Sequence, residues 1–237
     1  MIFDGALSPE DQQRAERTLG KLLSHGIESW ALTGGFATEI FIRRAGSKPI
    51  VRPLHDLDFL VSSFANIPTS IGRDFLFRHV HPFDPPGKNL LQCVDPETGV
   101  RVDIFRVDPP VMNRTSPLNT RLQIISQQDL TARAARLTWD LGRKSVAPKY
   151  VRDFLRLLKV ADIQSVEAVW QQHRNAWSPP AFSQAAKEVH TLIESHASSL
   201  IDSPYSTDIH AICDRCHTIA AFPLADAQRI ISILGYC

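Results

Sequence analysis

At 237 residues with 43% hydrophobic content, the chain can bury one large core or two modest ones, and its formal net charge of +1 excludes a protein whose bulk electrostatics alone mark a nucleic-acid binder. No apolar run is long enough to span a bilayer, and Met1–Glu10 lacks the basic start and apolar centre of a signal peptide, so the expected location is the cytoplasm and no membrane partner is expected. Four cysteines, Cys93, Cys213, Cys216 and Cys237, are too few and too scattered for a disulfide scaffold.

In chain order, Ser8-Pro-Glu-Asp11 predicts a helix start, with Ser8 as N-cap, Pro9 in the first turn, and Leu19, Leu22 and Leu23 on one face. Ser29-Trp-Ala-Leu-Thr33 reads as a short buried strand, and Phe36 to Arg44 as a helix stopped by Gly46. Strands follow near 57–62, 89–95 and 100–107, the last two closed into a hairpin by the turn Pro96-Glu-Thr-Gly99, and Arg121-Leu-Gln-Ile-Ile125 adds another. From Ser126 the pattern is helical to the end, broken near Ala147-Pro148, Ser178-Pro-Pro180, Ser203-Pro204 and Pro223. The expected fold is α+β: a mixed-sheet domain over residues 1–125 and a helical bundle over 126–237, without internal repeats or low-complexity segments.

Chemistry concentrates in Asp56-Leu-Asp58. Residues two apart in a strand share one face, so these carboxylates project together from an apolar run, Leu57 and Phe59 to Val61. Neighbouring carboxylates beside a core repel each other and resist desolvation, and a divalent cation removes both penalties. Asp103, in the alternating run Val100-Arg-Val-Asp-Ile-Phe105, offers a third carboxylate if its strand lies beside the Asp56 strand. Three carboxylates with water and phosphate oxygens suit Mg²⁺, and a pair of such ions clamps the attacking and leaving oxygens of an in-line displacement. Upstream, Gly34 and Gly35 separate the strand ending at Thr33 from a helix; glycines allow close backbone approach, and free N–H groups at a helix N-terminus favour an anion such as a triphosphate.

In this order, Gly34-Gly35-x-Ala37, then Arg52-x-x-x-Asp56-x-Asp58-Phe59, then Asp103, the chain resembles the nucleotidyltransferase superfamily that shares the DNA polymerase β catalytic fold. Within it the chain looks most similar to the AbiEii-type toxins and the lincosamide- and aminoglycoside-nucleotidyltransferase-like branches. The likeness extends through Ser126-Gln-Gln-Asp-Leu130 to Pro148-Lys-Tyr-Val-Arg-Asp-Phe154 and covers residues 29 to about 158. It implies transfer of NMP from an NTP to a hydroxyl acceptor, RNA/tRNA or a small molecule, and, for a toxin, a partner antitoxin protein. It further implies metal ligation by Asp56, Asp58 and Asp103, and nucleotide contacts from Thr33, Gly34, Gly35, Arg52, Lys149 and Asp153. The chain departs from the pattern at Leu54, where many relatives have Ser or His, and at Phe36, where a small residue is common.

Several bland readings compete. A glycine pair before a helix is often only a turn, Asp103 can sit on a half-exposed strand, and a fold can persist as a catalytically inactive binding module. Between Arg133 and Lys159 eight Lys or Arg stand against two Asp, a run that suits phosphates or is simply a solvated helix face. Lys149 and Asp153, four apart, can also pair with each other. Cys213-Asp-Arg-Cys-His217 matches the c-type haem attachment pattern, but that chemistry needs export; a zinc site of Cys213, Cys216 and His217 with His210 or Cys237 is a further reading, for which the spacing supplies only one knuckle. The favoured reading is an amphipathic helix carrying Ile209, Ile212, Cys213, Cys216, Ile219 and Ala220. His79 and His81 read as loop or strand-end residues.

Overall fold

The computed structural model describes residues 2–80, 90–142 and 148–201. In chain order the elements are α1 (Pro9–Ser24), β1 (Ala31–Leu32), α2 (Gly34–Arg44), β2 (Asp56–Val61), β3 (Leu76–Val80), β4 (Leu90–Val94), β5 (Arg101–Arg106), α3 (Pro109–Asn113), β6 (Ser116–Asn119), β7 (Leu122–Ile124), α4 (Gln127–Gly142), α5 (Pro148–Leu158), α6 (Ile163–Val169) and α7 (Phe182–Ile201). Two short 3₁₀ turns, Phe64–Asn66 and Thr69–Arg73, lie between β2 and β3. The architecture is α+β. Among the described residues no helix is long and apolar enough to cross a membrane. The Cys213–His217 motif, His210, Cys237, His81 and the basic pair Arg143 and Lys144 lie outside the described residues.

The chain forms two compact units. The first gathers the residues up to Phe36 with Val51–Ile125; the second gathers Ala37–Ile50 with the helical residues from Ser126. Sequence order puts Ala37–Ile50 in the 1–125 segment, whereas the fold groups it with the helices.

The first unit is built on a seven-stranded mixed sheet ordered β3-β4-β5-β2-β1-β7-β6. The pairs β2–β5 and β1–β7 are parallel, and the remaining neighbours are antiparallel. Leu57, Phe59, Val102 and Ile104 are fully buried along one face of the central pair, where they form the core beneath the sheet. Trp30 and Phe59 rings pack 5.7 Å apart behind them. Helix α1 starts as its sequence predicts: the Ser8 hydroxyl accepts from Asp11 N–H at 3.2 Å, and Leu19 and Leu22 are buried. It is fastened to the β4–β5 turn through buried Asp95, which accepts from Lys21 Nζ at 2.8 Å and from Thr18 Oγ1 at 3.0 Å. Burial disfavours the Asp95 carboxylate, but these donors prevail and hold its pKa below the usual carboxylate value. The predicted hairpin is present, with Leu90 opposite Phe105 and Val94 opposite Arg101.

Sequence pattern gave no sign of β3, α3 or β6. Strand β6 is a largely exposed edge containing Pro117, a residue tolerated only where no ladder N–H is needed. Pairing with β7, not local preference, makes it a strand. His79, expected at a loop or strand end, pairs with Gln92 in the β3–β4 ladder.

In the helical unit, α5 buries Val151, Phe154 and Leu157, spaced three apart, and α7 buries Phe182, Ala185, Val189 and Ile193. Phe182 packs edge-on to Phe154 and Trp170, with centroids 6.5 and 5.8 Å apart. Helix α4 opens on Ser126, whose Oγ accepts from Asp129 N–H at 3.1 Å, while the buried Asp129 carboxylate takes the Ser126 hydroxyl and His173 Nε2 at 2.7 Å. A second buried carboxylate, Glu39 on α2, is only 1% exposed and is held by Arg156 Nη2 at 2.8 Å, by Arg156 Nη1 and by Ile50 N–H at 2.8 Å. Arg156 is thus committed to an internal ion pair, which corrects the reading of the whole basic run as a solvated or phosphate-facing surface. Arg156→Ala strands the Glu39 charge and is expected to lower stability by about 3–5 kcal/mol, measured by urea unfolding. A loss below about 1 kcal/mol would mean that Glu39 is not the buried charge described here.

Candidate metal centre

Strand β2 lies parallel to β5 with Asp58 beside Asp103 and Asp56 beside Arg101. Side chains alternate along each strand, so Asp56, Asp58, Arg101 and Asp103 emerge on one face while Leu57, Phe59, Val102 and Ile104 fill the other. One oxygen from each of Asp56, Asp58 and Asp103 lies within 4.8 Å of the others, so the cluster can hold a metal ion. All three donors are carboxylates, the ligand chemistry of hard divalent cations. Asp103 is 3% exposed, not half-exposed as one reading of its strand allowed. From the neighbouring strand β4, Gln92 Nε2 donates to Asp103 Oδ1 at 2.9 Å and fixes the carboxylate.

Sequence reasoning missed Gln92 and Arg101. The signal for Arg101 was present, since it stands two residues before Asp103 and therefore shares its face. Gln92 becomes visible only once the β4–β5 register is known. The Arg101 guanidinium, 8% exposed, donates through Nη2 to Asp56 Oδ2, and its Nε lies 3.1 Å from Asp103 Oδ1 without hydrogen-bond alignment. Burial works against its charge, yet Asp103, Asp56 and Asp58 outweigh that and raise its pKa.

Burial pushes the Asp103 carboxyl up to about 6; Arg101 opposes the shift and the Asp56 charge adds to it. A folded-state pKa above the unfolded value of 3.8 means that protonated Asp103 stabilises the fold below that value, and that this contribution is lost as pH rises through about 6. In metal-free protein the stability contribution of Asp103 is therefore expected to fall between about pH 4 and 6, and Asp103→Asn to flatten that part of the profile. Thermal melts with chelator across this range measure it; identical wild-type and variant profiles would remove the assignment.

The backbone preceding α2 meets the same carboxylates. Leu32 pairs with Phe59, and Thr33 N–H donates to the Asp58 carbonyl at 2.9 Å, so Thr33 stands opposite Asp58 on the carboxylate-bearing face. Thr33 is 1% exposed and its hydroxyl has no hydrogen-bond partner among the described residues, a condition that costs about 1–3 kcal/mol and marks a polar group available to a ligand. Gly34 adopts φ +67°, and a Cβ there would lie 1.9 Å from Asp58 Oδ2. At Gly35 a Cβ would lie 2.6 Å from Arg52 Nη1, which sets the buried Arg52 guanidinium directly against the glycine. Close approach and backbone conformation together require glycine at position 34, where the Asp58 carboxylate packs; at Gly35 a Cβ would oblige the end of the Arg52 side chain to move.

The first unit thus brings together Thr33, Gly34, Gly35, Arg52, Asp56, Asp58 and Asp103. Lys149 and Asp153 lie on α5 of the helical unit, with the Lys149 ammonium 5.0 Å from the Tyr150 ring centre. In comparisons with known proteins, no family model matches the chain and no curated protein matches it significantly.

Proposed function

We propose that this protein is a Mg²⁺-dependent nucleotidyltransferase with a polymerase β-like catalytic domain, transferring NMP from an NTP to a hydroxyl acceptor with release of pyrophosphate. The observation that carries the reading is the convergence of Asp56, Asp58 and Asp103 within 4.8 Å on adjacent strands, with Gly34 packed against Asp58. The order of glycine pair, Asp-x-Asp and third acid, which underlies the family resemblance, supports it independently.

In this reading Asp56, Asp58 and Asp103 would hold the Mg²⁺. Bound Mg²⁺ supplies Lewis-acid neutralisation of the triphosphate and of the departing pyrophosphate. Gly34 and Gly35 leave the α2 N-terminus open to phosphate oxygens, with the Thr33 hydroxyl as a further donor. Arg52, anchored by its backbone N–H to the Ala6 carbonyl at 2.9 Å, adds a fixed positive charge beside Gly35. Asp103, held by Gln92 beside Asp58, would take the acceptor hydroxyl proton as that oxygen attacks the α-phosphorus and the bond to pyrophosphate breaks. By resemblance, Lys149 and Asp153 serve the phosphate or acceptor side. The acceptor is an RNA/tRNA or small-molecule hydroxyl, and the AbiEii-type likeness suggests a toxin with a protein antitoxin.

Calorimetric titration with ATP, GTP, CTP and UTP, with and without Mg²⁺, tests the reading without knowledge of the acceptor. Mg²⁺-dependent binding of at least one NTP is expected. Absence of binding for all four would favour a catalytically inactive module that has kept the fold.

A further inference from the structure

Three carboxylates sharing one face of a sheet carry a charge that has to be managed whenever metal is absent. The residue that meets it is Arg101. It stands beside Asp56 in the β2–β5 register and two residues before Asp103, so one side chain reaches carboxylates on both strands. It is buried, donates to Asp56 Oδ2, and keeps its Nε 3.1 Å from Asp103 Oδ1 in an ion pair that satisfies no aligned hydrogen bond. Gln92 already donates to that same Asp103 oxygen at 2.9 Å. The guanidinium is therefore a buried cation placed among three anions, attracted to Asp103, Asp56 and Asp58 together.

We propose that Arg101 is a built-in counter-cation that competes with metal for Asp56 and Asp103, and so sets how tightly the protein holds a divalent ion before nucleotide arrives. This rests on the metal-centre reading above. An incoming ion must either take the oxygens that Arg101 occupies or settle beside a fixed positive charge, and both weaken its binding. At the few-ångström separations within such a cluster, even water-like screening makes one unit charge worth more than about tenfold in the affinity of a divalent ion. The opposite role, a strut that holds the carboxylates in ligating positions, predicts the opposite sign: loss of Arg101 would then weaken metal binding.

Mn²⁺ binding to the full chain at pH 8, followed by electron paramagnetic resonance of the free ion, separates the two. Arg101→Met is expected to bind Mn²⁺ at least about tenfold more tightly than wild type, and Arg101→Lys, which keeps the charge, to stay within about threefold of it. Where Arg101→Met does not fold, Arg101→Gln, which retains a donor for Asp56, carries the same expectation. Wild-type binding with unchanged or weaker binding in the charge-removing variant would overturn the counter-cation role and leave the metal centre standing. No Mn²⁺ binding by wild type or by either charge-removing variant would overturn both.

Discussion

Asp58→Asn is expected to reduce metal-dependent nucleotidyl transfer by at least about 10³-fold while leaving the metal-free protein as stable as wild type, or more stable. The two effects have one cause. Asp58 contributes one of three carboxylate oxygens converging within 4.8 Å, so without metal Asp56 and Asp103 repel its charge while Arg101 offsets part of that repulsion, and with metal bound it would be a ligand. Replacing it with the isosteric neutral amide relieves the first interaction and removes the second. Thermal melts with chelator and with Mn²⁺ measure both parts: the variant is expected to match or exceed wild type in chelator and to lose the metal-induced rise in Tm. A rise equal to that of wild type would show that Asp58 is not a ligand. Transfer from an α-labelled NTP gives the activity arm once a donor is known.

The second large effect is expected at Gly34. Gly34→Ala places a Cβ 1.9 Å from Asp58 Oδ2 and 2.7 Å from its Cγ, at a backbone φ of +67° that an L side chain adopts only with strain. The carboxylate must move or the helix start must shift. The expected result is a stability loss of about 2–4 kcal/mol together with loss of Mn²⁺ binding. Gly46→Ala is the control for backbone strain alone, because Gly46 has φ +79° but nothing within 4 Å of a built Cβ. That variant is expected to lose only about 1 kcal/mol and to keep metal affinity. Equal losses in the two, with metal binding intact in both, would mean that the approach of Asp58 to Gly34 does not matter to the site.

Reading the residues and reading the fold contribute differently to these expectations. The carboxylate pair of β2 was legible because a two-residue period is enough to place Asp56 and Asp58 on one face, and their apolar neighbours mark a buried strand. The hairpin Leu90–Val94 to Arg101–Arg106 was legible from alternation and its turn. What alternation cannot supply is which strand lies beside which, and in what register. The parallel β2–β5 pairing that sets Asp103 beside Asp58 is a contact between residues forty-five apart, and the same register brings Arg101 to Asp56. A slip of one residue would have turned Asp103 to the opposite face.

Charge reading met a similar limit. Arg156 belongs by sequence to a basic run, yet it lies against Glu39, one hundred and seventeen residues away, in a buried pair. The edge strand β6, with Pro117 in it, has no local preference to announce it and exists because β7 offers a partner. By itself the sequence determined the types of groups available and their spacing along each element: two glycines before a helix, two carboxylates two apart, and a third on an alternating strand. The tertiary structure alone decided that these groups meet, that Gly34 abuts Asp58, and that Arg101 sits among the carboxylates, because strand register and side-chain packing are settled by contacts between distant segments.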